Sequence, residues 1–298
     1  MRQGVVACLV ELECLAALDC LQWLRTGSRA AEVLNCSQSR VSRNAGKCQK
    51  SFRVNLRKSS SEWCLSGDGF LLGMERRVHQ QYRWDTDRPL RLDCQNWLGG
   101  TYSPVLLDGW IKGNLDYLEG LRPLSLLRDR VIDAWLCSFP DHPRDPEFSC
   151  FQLCSTPGYL VVKPSHPLLD LGSSVSFNDV RRYPVAPWPA GVMPVLESTL
   201  GSMGLPMEDI RDAAAPSLPL ADLQVGITSP LAFAGHRSGS VALPLTLPVV
   251  VGDVLVVRSD LAGHRRTLGL VDALLHHLRA VSLGLDDVHV FAEASVLR

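Results

Sequence analysis

A run of basic residues near the amino end of this sequence has the clearest chemistry. Positions 25 to 58 hold nine Lys and Arg residues and one acidic residue, Glu32. The basic residues are Arg25, Arg29, Arg40, Arg43, Lys47, Lys50, Arg53, Arg57 and Lys58. In a chain with a formal net charge of −1, so local an excess of positive charge indicates a polyanionic partner, most simply nucleic acid. Charge alone is also compatible with a solvated basic face.

The elements that position these residues have the spacing of a helix-turn-helix. Apolar residues at a helical period predict a helix over 5–24. A short helix over 30–34 follows, with Ser28 as its N-cap, and another helix begins at Ser37 and runs to about Lys50. Two helices separated by a turn of about three residues, with the basic residues on the second, are typical of DNA-binding helix-turn-helix units.

Two further segments extend this basic region. Strand-like residues 52–56 and 62–65 flank a basic turn at 57–61, and we expect them to form a wing on the phosphate backbone. A helical pattern over 69–84 then joins the basic region to the rest of the chain. Its apolar stripe is expected to face the core unless it pairs with a second copy; its members include Phe70, Leu71, Met74, Val78 and Tyr82.

From Arg88-Pro89 onwards, strand-like and helix-like segments alternate. Strands are predicted at 90–94, 131–137, 158–163, 225–227, 241–243 and 254–258, and helices at 102–118 and 268–279. Such alternation predicts an α/β domain with a mainly parallel sheet.

Length and composition exclude several classes of protein. With 298 residues, of which 46% are hydrophobic, the chain is globular, and two domains are expected at about 150 residues each. The longest apolar run, 242–257, is interrupted by Pro244, Pro248 and Asp253, so we expect no membrane span. Glu11 and Glu13 come too early for a signal peptide, which favours a cytoplasmic chain. The ten cysteines are scattered, without metal spacing, and are interpreted as small buried hydrophobes.

The amino-terminal residues resemble the helix-turn-helix of LysR-type transcriptional regulators. The family pattern AA..L..SQ..VSR is matched by Ala30-Ala31, Leu34, Ser37-Gln38 and Val41-Ser42-Arg43. Weaker matches at the family's spacing are Leu56, Lys58, Leu65-Ser66, Gly69 and Leu72, then 163–168 and 234–244. The resemblance therefore spans nearly the whole chain. It departs at Ala45 and Cys48, which are smaller than the family's Ile and Leu and would weaken the helix packing unless Phe52 refills the space.

The resemblance implies an α/β protein in three parts. Residues 1–66 would form a winged helix-turn-helix, 67–87 a linker and dimerisation helix, and 88–298 a two-lobed effector domain of the type 2 periplasmic-binding-protein kind. Lobe I would comprise about 88–163 and 254–298, and lobe II about 164–253. The implied function is sequence-specific transcriptional regulation on double-stranded DNA, controlled by a small-molecule effector, in a homodimer or homotetramer.

The helix that begins after Ser37 would enter the major groove. The residues expected to contact DNA are Ser37, Gln38, Ser39, Arg40, Ser42, Arg43, Lys47, Arg57 and Lys58. Arg40 suits guanine O6 and N7, and Gln38 suits adenine N6 and N7. Lys47, Arg57 and Lys58 are expected on phosphates, where they add affinity without sequence information.

The effector site is expected at strand ends and helix starts. Thr101 and Ser103 would bind an anionic effector with their hydroxyls and nearby backbone N–H groups, although helix capping explains them equally well. Ser138, Phe139 and Phe233 are further cleft candidates by position, and a core role for Phe233 is the alternative.

Two other classes of protein are disfavoured by the same residues. A periplasmic-binding-like receptor without a DNA-dependent role is the alternative, which the basic motif and the lack of a signal peptide disfavour. An enzyme is not expected, because His276 and His277 are adjacent instead of one helical turn apart, and no phosphate-binding or nucleophile motif occurs. We expect neither a cofactor nor a metal.

Overall fold

The computed structural model describes residues 10–59, 62–117, 121–187, 190–205, 220, 222–235 and 239–297. The helices are α1 (Leu12–Leu24), α2 (Gly27–Val33), α3 (Gln38–Phe52), α4 (Phe70–Asp85), α5 (Gly99–Tyr102), α6 (Leu121–Arg128), α7 (Phe177–Val180), α8 (Pro194–Ser202), α9 (Pro230–Gly235) and α10 (Arg265–Val281). The strands are β1 (Asn55–Ser59), β2 (Glu62–Ser66), β3 (Leu90–Cys94), β4 (Trp110–Lys112), β5 (Ala134–Phe139), β6 (Phe148–Val162), β7 (Gly226–Thr228), β8 (Val241–Arg258) and β9 (His289–Leu297).

The chain divides into two compact units. Unit 1 comprises Met1–Leu92, Asp108–Asn114 and Pro123–Asp133, and unit 2 comprises Asp93–Leu107, Leu115–Arg122 and Ala134–Arg298. Three short segments that we expected in the effector domain therefore cluster with the amino-terminal residues. The lobe boundaries at 163/164 and 253/254 stay predictions.

The helix-turn-helix of unit 1 forms where its capping residues predict it. Ser37 caps α3 by accepting a hydrogen bond from the backbone N–H of Arg40 at 3.3 Å, as expected. For α2 the predicted cap is wrong: Thr26 accepts from the N–H of Arg29 at 3.3 Å, and Ser28 lies inside the helix. α1 ends just before Arg25, which has a left-handed backbone with φ 63°.

One face of α3 is buried in the core of unit 1. Val41, Ala45, Cys48 and Phe52 recur at helical spacing and are all buried, and α3 packs against α1. Ala45 and Cys48 are about 1% and 0% exposed, so their smaller volume does not open this face to solvent.

The wing forms as an antiparallel pair of strands. β1 and β2 pair from Asn55↔Ser66 to Ser59↔Glu62, and the tip, Ser60 and Ser61, lies outside the described residues. The Trp63 indole N–H donates to the carbonyl of Arg25 at 2.9 Å. This bond ties the wing to the carboxyl end of α1.

A buried polar network holds α4 within unit 1. Arg76 on α4 and Arg91 on β3 both bind Asp19 of α1, at 2.9 Å and 3.3 Å. The fully buried Asp133 accepts hydrogen bonds from donors on α4 and β3: the Gln80 amide, the Arg83 guanidinium, the Trp84 indole and the Arg91 backbone N–H, at 2.9–3.2 Å. Each charge of this network therefore has a partner of opposite sign.

Unit 2 is built on two long antiparallel strands. β6 and β8 pair along most of their lengths, β5 pairs with the other edge of β8, and β7 and β9 pair with β6, all antiparallel. The prediction of a mainly parallel sheet is therefore wrong for this unit. In unit 1, β3 and β4 do pair in parallel. Pro244 and Pro248 made β8 look like two short strands, although shifts in register accommodate prolines in the β6–β8 pairing.

The predicted helix over 102–118 is also wrong. α5 ends at Tyr102, and Pro104 cannot donate the backbone hydrogen bond that a continuing helix needs. Gly109 then turns the chain with φ 71° into β4. Residue 118 itself lies outside the described residues.

A hydrophobic core in unit 2 surrounds α7, α8 and the adjoining strand ends. Its buried members include Leu160, Leu168, Val180, Leu200 and Leu247. Most of the described cysteines are also buried, namely Cys14, Cys20, Cys48, Cys94, Cys137, Cys150 and Cys154, whereas Cys64 is exposed. Cys8 lies outside the described residues.

Candidate DNA-binding surface and ligand pocket

The exposed face of α3 carries the residues predicted to contact DNA. All nine are exposed: Ser37, Gln38, Ser39, Arg40, Ser42, Arg43 and Lys47 on or before α3, and Arg57 and Lys58 on the wing. The opposite face is the buried one already described. Folding therefore places the apolar residues of α3 in the core and these polar residues in solvent.

The positive charge of this surface is not neutralised within the described residues. Arg25 binds Glu62 at 3.5 Å and Arg29 binds Glu32 at 2.7 Å. By contrast, no described acidic residue forms a salt bridge with Arg40, Arg43, Lys47, Arg57 or Lys58. The five unpaired cations make this surface suitable for a polyanion.

Local contacts organise the amino end of α3. The Ser37 and Ser39 hydroxyls lie 3.1 Å apart, and the Arg43 Nε donates to the carbonyl of Ser39 at 3.4 Å. The Gln38 side chain lies against Gly27, where an added β-carbon would come within 2.9 Å of its amide nitrogen. On the wing, the Lys58 ammonium lies 6.0 Å from the centre of the Trp63 ring.

α4 exposes an apolar stripe to solvent. Phe70, Leu71, Met74, Val78 and Tyr82 are 37–71% exposed and recur every three to four residues along one side. On the other side, Leu72, Arg76, Gln80 and Trp84 are buried. Of the two possibilities left by the sequence, the structure therefore rejects the one in which this stripe faces the core. An apolar stripe in water is typical of a surface that pairs with a partner.

Unit 2 contains a cavity of about 90 Å³ at the ends of β5 and β7 and beside the middle of β8. It is lined by Trp97, Leu98, Ser138, Phe139, Pro140, Asp141, Met193, Leu196, Ile227, Thr228, Ser229, Ala232, Val251, Gly252 and Asp253. Most of these side chains are apolar, with a few hydroxyl and carboxyl groups, which is the usual composition of a small-molecule site.

A cross-strand pair contributes the polar groups of this pocket. Ser138 of β5 lies opposite Asp253 of β8 in the antiparallel register, so both side chains project from the same face. The Trp97 indole donates to the Ser138 hydroxyl at 2.7 Å, and the Tyr102 hydroxyl donates to Asp253 Oδ2 at 2.7 Å. Burial raises the pKa of Asp253 to about 6, although the hydrogen bond from Tyr102 opposes the rise.

The second carboxyl group of the pocket belongs to Asp141, which follows β5 in sequence and contacts the amino end of α8. Its Oδ1 accepts the backbone N–H of Val195 at 2.8 Å. Burial raises the pKa of Asp141, while the N–H groups of Val195 and Leu196 act in the opposite direction.

Two of the five predicted effector residues line this cavity, and three do not. Ser138 and Phe139 contribute to its wall. Thr101 is buried in α5, and its carbonyl accepts a hydrogen bond from His277 Nε2 at 2.8 Å. Ser103 is exposed at the end of α5, and Phe233 is half-buried on α9. α5 is a single short turn, so the expected extended helix behind Thr101 and Ser103 is not formed.

Sequence reasoning missed several pocket residues. Asp253 was noticed only as an interruption of an apolar run, yet a lone carboxylate within a buried strand is itself a signal of a functional site. Ser229 follows β7 and caps α9 by accepting the N–H of Ala232 at 3.2 Å, so Ser-Pro at 229–230 was a recognisable helix start. Trp97 and Asp141 had no comparable signal.

Metal-binding clusters and membrane-spanning helices are both absent from the described residues. There, no group of three or more His, Cys, Asp or Glu side chains is placed to hold a metal ion. Within the same residues, none of the helices is both long and apolar enough to cross a membrane.

The fold combines a winged helix-turn-helix, the helix α4 and an α/β unit, and solved structures of low sequence identity share it. The chain is similar to a full-length OxyR point variant from Pseudomonas aeruginosa, with a TM-score of 0.56 and 16% identity over 91% of this chain and 95% of that one. It is similar to the probable transcriptional regulator PA0477 of the same organism, with a TM-score of 0.56 and 15% identity over 89% and 96% of the two chains.

A third structure supports the same fold. A Corynebacterium glutamicum OxyR cysteine mutant, bound to H2O2, has a TM-score of 0.51 and 15% identity over 92% of this chain and 94% of that one. No family model and no curated protein matches the chain. The likeness confirms the predicted fold class.

Proposed function

We propose that this chain is a sequence-specific DNA-binding transcriptional regulator of the LysR type, controlled by a small molecule bound in unit 2. The observation that carries the proposal is the exposed face of α3, on which Arg40, Arg43 and Lys47 have no acidic partner among the described residues. The whole-chain likeness to full-length regulators supports it.

In this proposal α3 enters the major groove with its amino end towards the bases. Arg40 reads guanine through O6 and N7, and Gln38 reads adenine through N6 and N7. Arg43, Ser37, Ser39 and Ser42 contact the adjoining base edges and phosphates (Ser39 and Ser42 lie beside Gln38 and Arg43 on the exposed face). Lys47 and the wing residues Arg57 and Lys58 bind phosphates only.

The exposed stripe of α4 completes the proposal by joining two copies. A dimer formed through Phe70, Met74, Val78 and their neighbours removes this apolar surface from water. Two helix-turn-helix units then bind half-sites separated by about 34 Å, one turn of DNA, so the operator is expected to be palindromic.

The effector binds in the pocket that includes Ser138 and Phe139. Ligand entering this cavity is proposed to shift the chain between states of different DNA affinity. No catalytic step is part of the proposal, and a DNA-bound regulator acts in the cytoplasm.

The test is selection of duplexes from a random pool with the purified full chain, followed by titration of the selected site in increasing salt. We expect a palindromic site and a steep loss of affinity with salt, because each phosphate contact releases counterions. The alternative, a small-molecule receptor without a role on DNA, predicts no enrichment and no retarded complex at any salt concentration.

A further inference from the structure

The pocket of unit 2 has an acidic wall. Two carboxyl groups, Asp141 and Asp253, line it, and none of the described lining residues is Lys, Arg or His. This composition does not suit the anionic effector expected from Thr101 and Ser103, because an anion would be buried beside two carboxyl groups in a pocket whose described lining residues include no cation.

The two carboxyl groups differ in what already satisfies them. Asp141 accepts backbone N–H groups at the start of α8. Asp253 is 5% exposed, and its Oδ2 accepts the Tyr102 hydroxyl, whereas no described residue donates a hydrogen bond to Oδ1. A buried carboxylate oxygen in the wall of a cavity, without a described donor, is a position at which a ligand donor would be stabilised.

The remainder of the wall suits an apolar body with a positive charge. The side chains of Trp97, Phe139, Met193, Leu196 and Ile227 provide the apolar surface. Two of them are aromatic, and aromatic ring faces attract cations. The cavity of about 90 Å³ is smaller than the roughly 150 Å³ that encloses a benzene molecule. Because the cavity is open to solvent, it admits a short chain fully and a single ring in part.

We propose that the effector is a small organic cation, an amine with an apolar body, whose ammonium group binds Asp253 while its body contacts the apolar wall. The inference rests on the proposed function only in naming this pocket as the effector site. The ammonium supplies the missing donor to Oδ1 and compensates the buried charge, and neither an alcohol nor a carboxylate of the same shape does both.

The experiment uses three probes of nearly equal size: benzylamine, benzyl alcohol and benzoate. Each is titrated into the full-length protein without DNA, by calorimetry and by thermal unfolding. We expect benzylamine to bind at least about tenfold more tightly than benzyl alcohol, and benzoate to bind most weakly.

Asp253→Asn keeps an acceptor for Tyr102 and removes the charge. In this variant we expect benzylamine to lose about tenfold in affinity and to become equal to benzyl alcohol, whose own affinity changes little. Asp170→Asn, at an exposed position outside the pocket, is the matched control and should leave all three affinities unchanged. If Asp253→Asn does not unfold cooperatively, the ranking of the three probes on the wild-type chain decides.

Several results would overturn the assignment: benzoate binding as well as benzylamine, equal affinities for amine and alcohol, or no binding of any probe at millimolar concentration. An amine preference that survives in Asp253→Asn would also do so. Because the titrations contain no DNA, they fail or succeed separately from the proposed regulatory function. If the protein selects the amine but does not bind DNA, the inference about the ligand holds and the proposed regulatory function is wrong.

Discussion

Arg76 of α4 and Asp19 of α1 form a buried ion pair at 2.9 Å, with both side chains less than 5% exposed. α4 is therefore joined to α1 by charges that have almost no access to water. Arg91, which also binds Asp19, donates its backbone N–H to Asp133, so the two acidic groups belong to one network. Such a network stabilises only while all its members are present.

Asp133→Ala is expected to destabilise the protein strongly. The substitution leaves Arg83 without its carboxylate and removes the acceptor of Gln80 and Trp84, and breaking a buried pair in this way costs about 3–5 kcal/mol. Urea unfolding followed by circular dichroism measures the change. Asp87→Ala, at an exposed position, is the control and should change stability by less than about 0.5 kcal/mol. A loss below about 1 kcal/mol for Asp133→Ala would contradict this account of the network.

Arg40→Ala and Lys47→Ala should weaken DNA binding in different ways. Arg40→Ala is expected to cost about 1–3 kcal/mol on the selected site and to relax the preference at one base pair. Lys47→Ala should weaken selected and unrelated duplexes alike and lower the salt slope by about one. Gel-shift titrations on both duplexes separate the two. Arg182→Ala removes an exposed positive charge in unit 2 and is the control. Unchanged base preference in Arg40→Ala would refute its assigned role.

Val78→Asp should dissociate the proposed dimer. Val78 is 44% exposed at the middle of the apolar stripe, and a carboxylate there would be buried without a partner if two stripes pack together. Analytical ultracentrifugation of wild type and variant measures the change in assembly, while circular dichroism checks that the fold is kept. Arg77→Ala, an exposed change beside the stripe, should leave assembly intact. A wild-type chain that stays monomeric at all concentrations would show that the stripe does not pair copies.

Asp253→Asn should stabilise the unliganded protein in a pH-dependent way. Burial raises the pKa of Asp253 from 3.8 to about 6. Keeping this carboxyl group ionised in the folded protein therefore costs up to about 3 kcal/mol. This destabilisation is small below about pH 4, grows as pH rises through 6, and is complete by about pH 7.5. Asn carries no charge, so we expect the variant to gain stability relative to wild type as pH rises from about 4 to about 7.5.

The groups that face Asp253 do not obscure this measurement. Burial raises the pKa values of Tyr102, Cys137 and Cys154, so these stay neutral throughout the range, and Asp141 titrates in wild type and variant alike. Thermal unfolding at several pH values gives the difference directly. If the difference in unfolding free energy between variant and wild type stays constant across this pH range, ionisation of Asp253 does not destabilise the folded protein.

The winged helix-turn-helix was predictable because its signals are local. Ser37 caps α3 through a residue three positions away, and the buried face of α3 follows from helical periodicity alone. The sequence predicts that one side of α4 is apolar. It does not show whether that side faces the core or solvent, because this depends on whether a second molecule covers it. The buried partners of Arg76 and Arg91 lie up to 72 positions away, and sequence spacing does not encode such contacts.

Unit 2 was predicted less well for a related reason. β6 and β8 are 15 and 18 residues long, whereas the sequence predicts a single short strand, 158–163, overlapping β6 and two short strands, 241–243 and 254–258, within β8. An alternation of strand and helix patterns does not determine whether two strands pair in parallel or antiparallel, so the antiparallel pairing of β6 and β8 was not predictable from it. The pocket followed the same pattern: Ser138 and Phe139 at the end of β5 were found, whereas Asp253 on β8 joins them only through the β5–β8 pairing.

Gly252 precedes Asp253 where β8 runs close beside β6. A β-carbon on Gly252 would come within 2.1 Å of the carbonyl oxygen of Cys154. Because this oxygen belongs to the backbone, no side-chain rotation can relieve the clash. Even alanine would therefore push two paired strands apart at the wall of the cavity. In a library containing all twenty amino acids at position 252, glycine alone should return a protein that still binds the proposed amine.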